Sequence, residues 1–144
     1  MQQALSLANH ALPEDVPVGA LVVQYNPDED GYQIIGEGWN TREQAHSPLG
    51  HAELMALTQA AQVLGRWRLT DCILVVTLEP CPMCAGAIAQ ARLPLIVYGA
   101  DDPAVGGCGS RWLIPDPKHT QVLGGVLGES CQQALHNFFK ARRA

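Results

Sequence analysis

Two short stretches constrain this chain more than anything else in it: His51-Ala52-Glu53 and Pro80-Cys81-Pro82-Met83-Cys84. Together they supply one imidazole, two thiols and a carboxylate, a donor set that suits zinc. A structural zinc site takes four protein ligands, whereas a catalytic one takes three and keeps a position open for water. His51, Cys81 and Cys84 make three, and no second Cys-x-x-Cys supplies a fourth. That shortage argues for chemistry, because zinc lowers the pKa of a bound water to about 7. Glu53, two residues from the histidine, then reads as a proton shuttle and not as a ligand.

The spacing adds its own conditions. Pro82 suits the first turn of a helix, where a missing N–H costs nothing. Cys84 falls in that same turn, where the helix dipole and a metal both favour thiolate. His51 and Glu53 are two residues apart and would not face each other along a helix. They converge only if the site sits at the very start of that helix. Taken alone, Cys-x-x-Cys fits a redox pair or half of a structural zinc knuckle equally well. The upstream His-x-Glu and the proline before the first cysteine favour the catalytic reading.

Composition sets outer limits. A chain of 144 residues with 47% hydrophobic and 16% charged residues can bury a real core, which excludes a disordered protein. Residues 1–144 read as a single domain. No apolar run is long enough to span a membrane, and no basic segment precedes an apolar one at the start, so a cytoplasmic protein is expected. Five cysteines, two of them claimed by the metal, fit a reducing compartment better than a disulfide framework. Cys72, Cys108 and Cys131 read as ordinary small side chains, buried or partly so. The net charge of −5 is awkward for a nucleic-acid partner. Only Lys140, Arg142 and Arg143 form a local basic cluster, and these could equally complete a helix dipole.

Met1 to about Leu12 reads as a helix with Leu5, Ala8 and Leu12 on its apolar stripe, ended by Pro13. Val18 to Tyr25 is a β-branched strand run, and Tyr32 to Gly36 its returning hairpin partner across the turn at residues 26–31. Trp39 to Gly50 reads as a polar loop, in which His46 is an exposed non-ligand. His51 to Leu64 is helical, with Leu54, Leu57, Ala61 and Leu64 as core positions. Ile73 to Leu78 is a strand buried on both faces, Cys81 opens a second helix to about Ala91, and Leu95 to Tyr98 is a strand. Thr120 to Val126 is a weaker strand. Ser130 and Gln133 have the spacing of a capping box for a last helix carrying Leu135, Phe138 and Phe139. Strands alternating with the two ligand helices point to a layered α/β sheet.

The pattern His-x-Glu…Pro-Cys-x-x-Cys is the signature of zinc nucleobase deaminases. The match extends well beyond it. Val16-Pro17-Val18-Gly19-Ala20, Ile35-Gly36-Glu37-Gly38-Trp39-Asn40, Thr77-Leu78-Glu79-Pro80-Cys81, Met83-Cys84-Ala85-Gly86-Ala87 and Phe138-Phe139-Lys140-Ala141-Arg142-Arg143 resemble the bacterial tRNA-specific adenosine deaminases, in order and over nearly the whole chain. The resemblance implies a three-layer α/β/α sandwich with a five-stranded mixed sheet of the cytidine deaminase type. It also implies one zinc ion per subunit of a homodimer, and a tRNA anticodon stem-loop with adenosine at the wobble position as substrate. On that basis Asn40 contacts the flipped adenine, although Asn is commonly a turn residue. Asp102 contacts the substrate near the target base, although Asp-Pro is equally a turn former. One of Phe138 and Phe139 is core and the helix end borders the RNA, where aromatics stack on unpaired bases. Lys140, Arg142 and Arg143 grip phosphates, and the backbone N–H of Ala52 helps hold the base or the water. The competing readings are a deaminase of free guanine or cytosine-type bases, and a catalytically idle module with a structural zinc.

Overall fold

A computed structural model describes residues 1–29 and 31–144. The β-branched run after Pro17 forms β1 (Gly19–Asn26), which pairs antiparallel with β2 (Gly31–Trp39) on one side and β3 (Cys72–Leu78) on the other. β3, β4 (Leu95–Ala100) and β5 (Gln121–Leu123) run parallel, so the five-stranded mixed sheet has the order β2-β1-β3-β4-β5. The helices are α1 (Gln2–Ala8), α2 (Ala52–Leu64), α3 (Pro82–Gln90) and α4 (Gly128–Arg143). β2 is longer than its apolar core suggests and takes in Trp39, because Gly19 of β1 pairs with it and the ladder continues to its end. At the hairpin tip Pro27–Glu29 form a single 3-10 turn; Asp30 of the expected turn lies outside the described residues.

Glycines on the strands show how the layers stack. A Cβ on Gly36 or Gly38 would stand 2.2 or 2.1 Å from the carbonyl oxygens of Ala56 and Ala52, so α2 lies directly on β2 and only glycine permits that approach. Gly19 stands against Ala4 of α1, and Gly99 of β4 against Cys131 of α4. Register places Gly19 and Gly99 on the face opposite to Gly38, so α1 and α4 cover one side and α2 and α3 the other. This is the three-layer sandwich.

The close helix approach corrects several expected core positions. α1 ends at Ala8, burying Ala4 and Ala8 where only a methyl fits against Gly19; a 3-10 turn, Asn9–Ala11, follows, with Ala11 buried and Leu12 exposed. In α2 the inward residues are Ala52, Glu53, Ala56, Leu57 and Ala60. Of the four positions expected in the core only Leu57 is fully buried; Leu54, Ala61 and Leu64 are half-exposed. β3 buries Cys72, Leu74 and Val76 fully but leaves Ile73 and Val75 half-buried. Their face is shared by a short α1 against β1 and an α4 lying mainly on β4, so the strand is not covered equally on both sides. Between α2, α3 and the sheet, Val22, Leu74, Val76, Ile88 and Ile96 are fully enclosed. Truncating a buried Leu or Ile to Ala typically costs about 2–5 kcal/mol.

Two further expectations fail at the end of the chain. β5 stops at Leu123, where a Cβ on Gly124 would enter the ring of Tyr98. The capping box does not form: α4 begins at Gly128, after Leu127 at φ 52°, and Ser130 already lies within the helix. Cys131 donates its N–H to Leu127, closing a first turn that sets the Cys131 side chain against Gly99.

Candidate active site and metal centre

Each ligand sits where a helix begins. His51 is the extended residue before α2, and Cys81 the extended residue before α3, whose first residue is Pro82. Both helices start on the same side of the sheet, near the carboxyl ends of the parallel strands, where open α/β sheets place their ligands. Cys84, in the first turn of α3, is fully buried. His51 Nδ1 lies 3.7 Å from Cys81 Sγ and 3.4 Å from Cys84 Sγ, and all three donor atoms fall within 4.8 Å of one another. Tetrahedral zinc with bonds of about 2.3 Å to sulfur and about 2.0–2.1 Å to nitrogen separates S and N by roughly 3.5 Å. The residues therefore fit one zinc ion, held by His51, Cys81 and Cys84 with a fourth position left over.

The electrostatics agree. A hydrogen bond with Cys84 and then the His51 ring hold the Cys81 thiol down to about 4, against burial. The hydrogen bond with Cys81, together with burial, pushes the Cys84 thiol far up. The His51 imidazole is raised, chiefly by its hydrogen bond with Cys81. The two thiols are thus pushed in opposite directions, and a bound dication would hold both as thiolates. Glu53 is 4% exposed, and burial pushes its carboxyl up to about 7, with its own backbone N–H and His51 pulling the other way. A carboxyl with its pKa near neutrality can both take and return a proton at physiological pH.

His51, Cys81 and Glu53 line a cavity of about 440 Å³, with Cys84 buried behind them. Asn40, Asp102, Phe138, Phe139 and Arg142 line it too, so these expected substrate residues converge on the metal site. Asn40 donates from Nδ2 to the carbonyl of Val16 and accepts the N–H of Ala52 on Oδ1, at 3.0 and 3.1 Å. It retains one amide hydrogen and one lone pair for a base edge. The Ala52 N–H, expected to help hold the base or the water, donates to Asn40 Oδ1 in this structure. Asp102 is both a turn former and a wall residue, its Oδ1 accepting the N–H groups of Ala104 and Val105. Phe138 is 7% exposed and Phe139 44%, in an edge-to-face pair, so Phe138 is the core member.

The basic tail divides. Lys140 and Arg143 are exposed and lie outside the cavity lining. Arg142 stacks over the Phe138 ring at 4.6 Å and donates to the backbone carbonyls of Pro13 and Glu14. It ties the last helix to the loop before β1 while remaining exposed. His46, at φ 49°, is exposed and not a ligand.

Sequence reasoning missed two acids. Asp15 is buried in the cavity wall and accepts the N–H groups of Glu43 and Gln44, pinning the loop that leads to His51. Glu79 is buried beside Cys81 and accepts three backbone N–H groups from the loop after β4. Burial works against its ionisation, yet those N–H groups hold its pKa below the ordinary value. The signal for Glu79 was a lone carboxylate closing an otherwise apolar strand; Asp15 offered none.

A cluster of three zinc ligands with a fourth position left over, opening with a buried carboxylate onto a cavity at two helix starts over a mixed sheet, defines a class: the hydrolytic zinc deaminases. Residues 1–100 match the family model for the cytidine and deoxycytidylate deaminase zinc-binding region. A tRNA-specific adenosine deaminase of Haemophilus influenzae is 44% identical over 99% of this chain and 83% of its own length. A solved structure from work on A-to-I editing by tRNA:A34 deaminases superposes with a TM-score of 0.83 at 34% identity, covering 94% of this chain and 97% of that one. A guanine deaminase from Nitrosomonas europaea shares the fold at 23% identity, with a TM-score of 0.79 over 95% of this chain and 81% of its own. The chain belongs to the tRNA-specific adenosine deaminases, a branch of the cytidine and deoxycytidylate deaminase zinc-binding family.

Proposed function

We propose that this protein hydrolyses the exocyclic amine of adenosine at the wobble position of a tRNA anticodon, giving inosine and ammonia. The observation that carries the reading is the convergence of Glu53, Asn40 and the aromatic end of α4 in one cavity on the His51, Cys81 and Cys84 donor cluster. Zinc bound there supplies a water acidified to near-neutral pKa. Glu53 takes a proton from the attacking water as oxygen bonds to C6. It delivers that proton to the adjacent ring nitrogen, then takes the remaining proton from the new C6 hydroxyl and passes it to the amine as the C6–N bond breaks. Asn40, fixed through Val16 and Ala52, turns its remaining donor and acceptor toward the base. Phe139 offers an exposed ring on which an extruded base or its neighbour stacks. An anticodon loop is already single-stranded, so extruding the base costs at most a few kcal/mol.

One observation favours a second reading. Glu14, Glu43, Asp101 and Asp102 also line the cavity, an acidic mouth better suited to a small free base than to phosphates. The zinc-loaded protein incubated with an anticodon stem-loop bearing adenosine at the wobble position separates the two. Inosine in the RNA supports the proposal; turnover of free guanine or cytosine alone overturns it.

The working unit is a homodimer. A groove of about 1130 Å³ runs between α2 and α3 on the side away from the metal, lined by Leu54, Leu57, Ala61, Ala87, Ala91 and Trp67. Leu54 and Ala61 are residues of α2 that do not face the sheet, Ala87, Ala91 and Trp67 complete the groove around them, and a second copy offers a matching surface. Residues 1–144 are read as one domain working in the cytoplasm, which the likeness to bacterial tRNA-specific adenosine deaminases supports.

A further inference from the structure

The side chain of Glu79 ends β3 in a position no charged group would occupy without partners. It is 2% exposed, lies one residue before Pro80 and two before a metal ligand, and has all its partners in one loop. Its Oε2 accepts the N–H of Asp102 at 3.0 Å, and its Oε1 accepts the N–H groups of Cys108 and Ser110, each at 3.0 Å. The chain from 102 to 110 therefore wraps around a single carboxylate. Gly106 shows how closely: a Cβ there would stand 2.4 Å from Glu79 Oε2. The same loop is tied to the zinc strand a second time, by the Gly107 N–H donating to the Pro80 carbonyl at 2.7 Å. Asp102 and Val105, which this wrapping presents, form the wall of the substrate cavity opposite Asn40 and the α4 aromatics.

We infer that Glu79 is a positioning residue for substrate recognition, its carboxylate acting as the internal anchor that holds the 102–110 loop, and with it Asp102, against the cavity. An ionised carboxylate offers about four acceptor sites, and three are filled by this loop. Its capacity is spent on the wall and not on the reacting atoms. The geometry also dictates what glutamine would do there. One end of the amide can still accept, but its NH₂ end meets a backbone N–H, donor against donor, and leaves at least one buried N–H without an acceptor. This inference rests on the deaminase reading for its kinetic consequence, while the anchoring itself does not.

The test has a kinetic arm and a structural one. In the zinc-loaded enzyme, Glu79→Gln should keep one zinc per chain and a kcat near that of the parent. KM for the anticodon stem-loop should rise by roughly ten- to a hundredfold, the loss of one or two hydrogen bonds to a charged acceptor. Because the effect travels through Asp102, Asp102→Ala should cost much less on the Glu79→Gln background than alone. Zinc loss, an equal fall in kcat, or additive single effects would show that Glu79 merely supports the Cys81 turn, and would overturn the inference. The structural arm needs no variant: in the parent protein the Asp102, Cys108 and Ser110 amides should be protected from hydrogen exchange although they lie in a loop. Ready exchange of all three overturns the anchor even if Glu79→Gln fails to fold. Protected amides in an enzyme that deaminates no RNA would instead reject the substrate reading and leave the anchor standing.

Discussion

Glu53 and the two ligand cysteines differ in what their loss should remove. Glu53 is buried beside the donors without being one of them, so Glu53→Gln should retain one zinc per chain by atomic absorption while turnover falls by at least about 10²–10⁴-fold, the usual worth of a positioned acid–base group. Metal loss from Glu53→Gln, with activity surviving once zinc is restored, would assign it the wrong role. Cys81→Ala or Cys84→Ala should lose both metal and activity. Cys72→Ala should keep both, because Cys72 opens β3 at the end opposite Cys81 and its thiol, pushed up to about 12 by burial and then by Asp71, stays protonated. Loss of zinc from a folded Cys72→Ala protein would mean the donor set is wrong. The ligands and Glu53 were legible because metal chemistry limits them to a few residue types at fixed spacing. The state of the Ala52 N–H was not, since its partner Asn40 arrives from the end of another strand.

At the level of elements, α4 carries the basic cluster but does not use it uniformly. Lys140 and Arg143 are exposed, whereas Arg142 is engaged with Phe138 and the Pro13 and Glu14 carbonyls, so the proposed grip on phosphates falls to the first two. Replacing Lys140 and Arg143 by Ala should weaken binding of the stem-loop. It should also flatten the plot of log affinity against log salt by about 0.7 for each phosphate that is no longer neutralised. Arg142→Ala should raise KM with little change in that slope, because it loosens the cavity wall and leaves the phosphates as they were. Fluorescence anisotropy across a salt series distinguishes the two. An unchanged slope in the Lys140/Arg143 double variant would place the basic footprint elsewhere, among Arg42, Arg66, Arg68, Arg92 and Arg111.

For the whole molecule, the outward face of α2 matters as much as the inward one. Its sheet-facing residues are mostly alanine because β2 meets them with Gly36 and Gly38, which displaces Leu54 and Ala61 toward the groove against α3. A second copy seated there should give a solution mass near twice the 15.5 kDa of the chain, and a stable interface of this kind buries roughly 1,200–2,000 Å² in total. Leu54→Glu, a charge in the middle of the groove, should yield the monomeric mass by light scattering with zinc content unchanged. A parent protein that is monomeric at micromolar concentration would refute the dimer.

Local chemistry settled a good deal in advance. Helix starts follow from proline and metal-ligand geometry, strands from β-branched runs, and the zinc donors from side chains that no other arrangement would use together; each depends on neighbours close in the chain. What tertiary structure alone decided depends on how closely elements approach. The alanine faces of α1 and α2 exist because Gly19, Gly36 and Gly38 let backbones nearly touch, and a hydrophobic stripe in sequence cannot show which of its residues will be excluded for size. The engagement of Arg142, the anchoring role of Glu79 and the bond from Ala52 to Asn40 join residues far apart in sequence through backbone groups that carry no residue identity. A peptide N–H or carbonyl is the same at every position, so its partner becomes known only when the chain has folded.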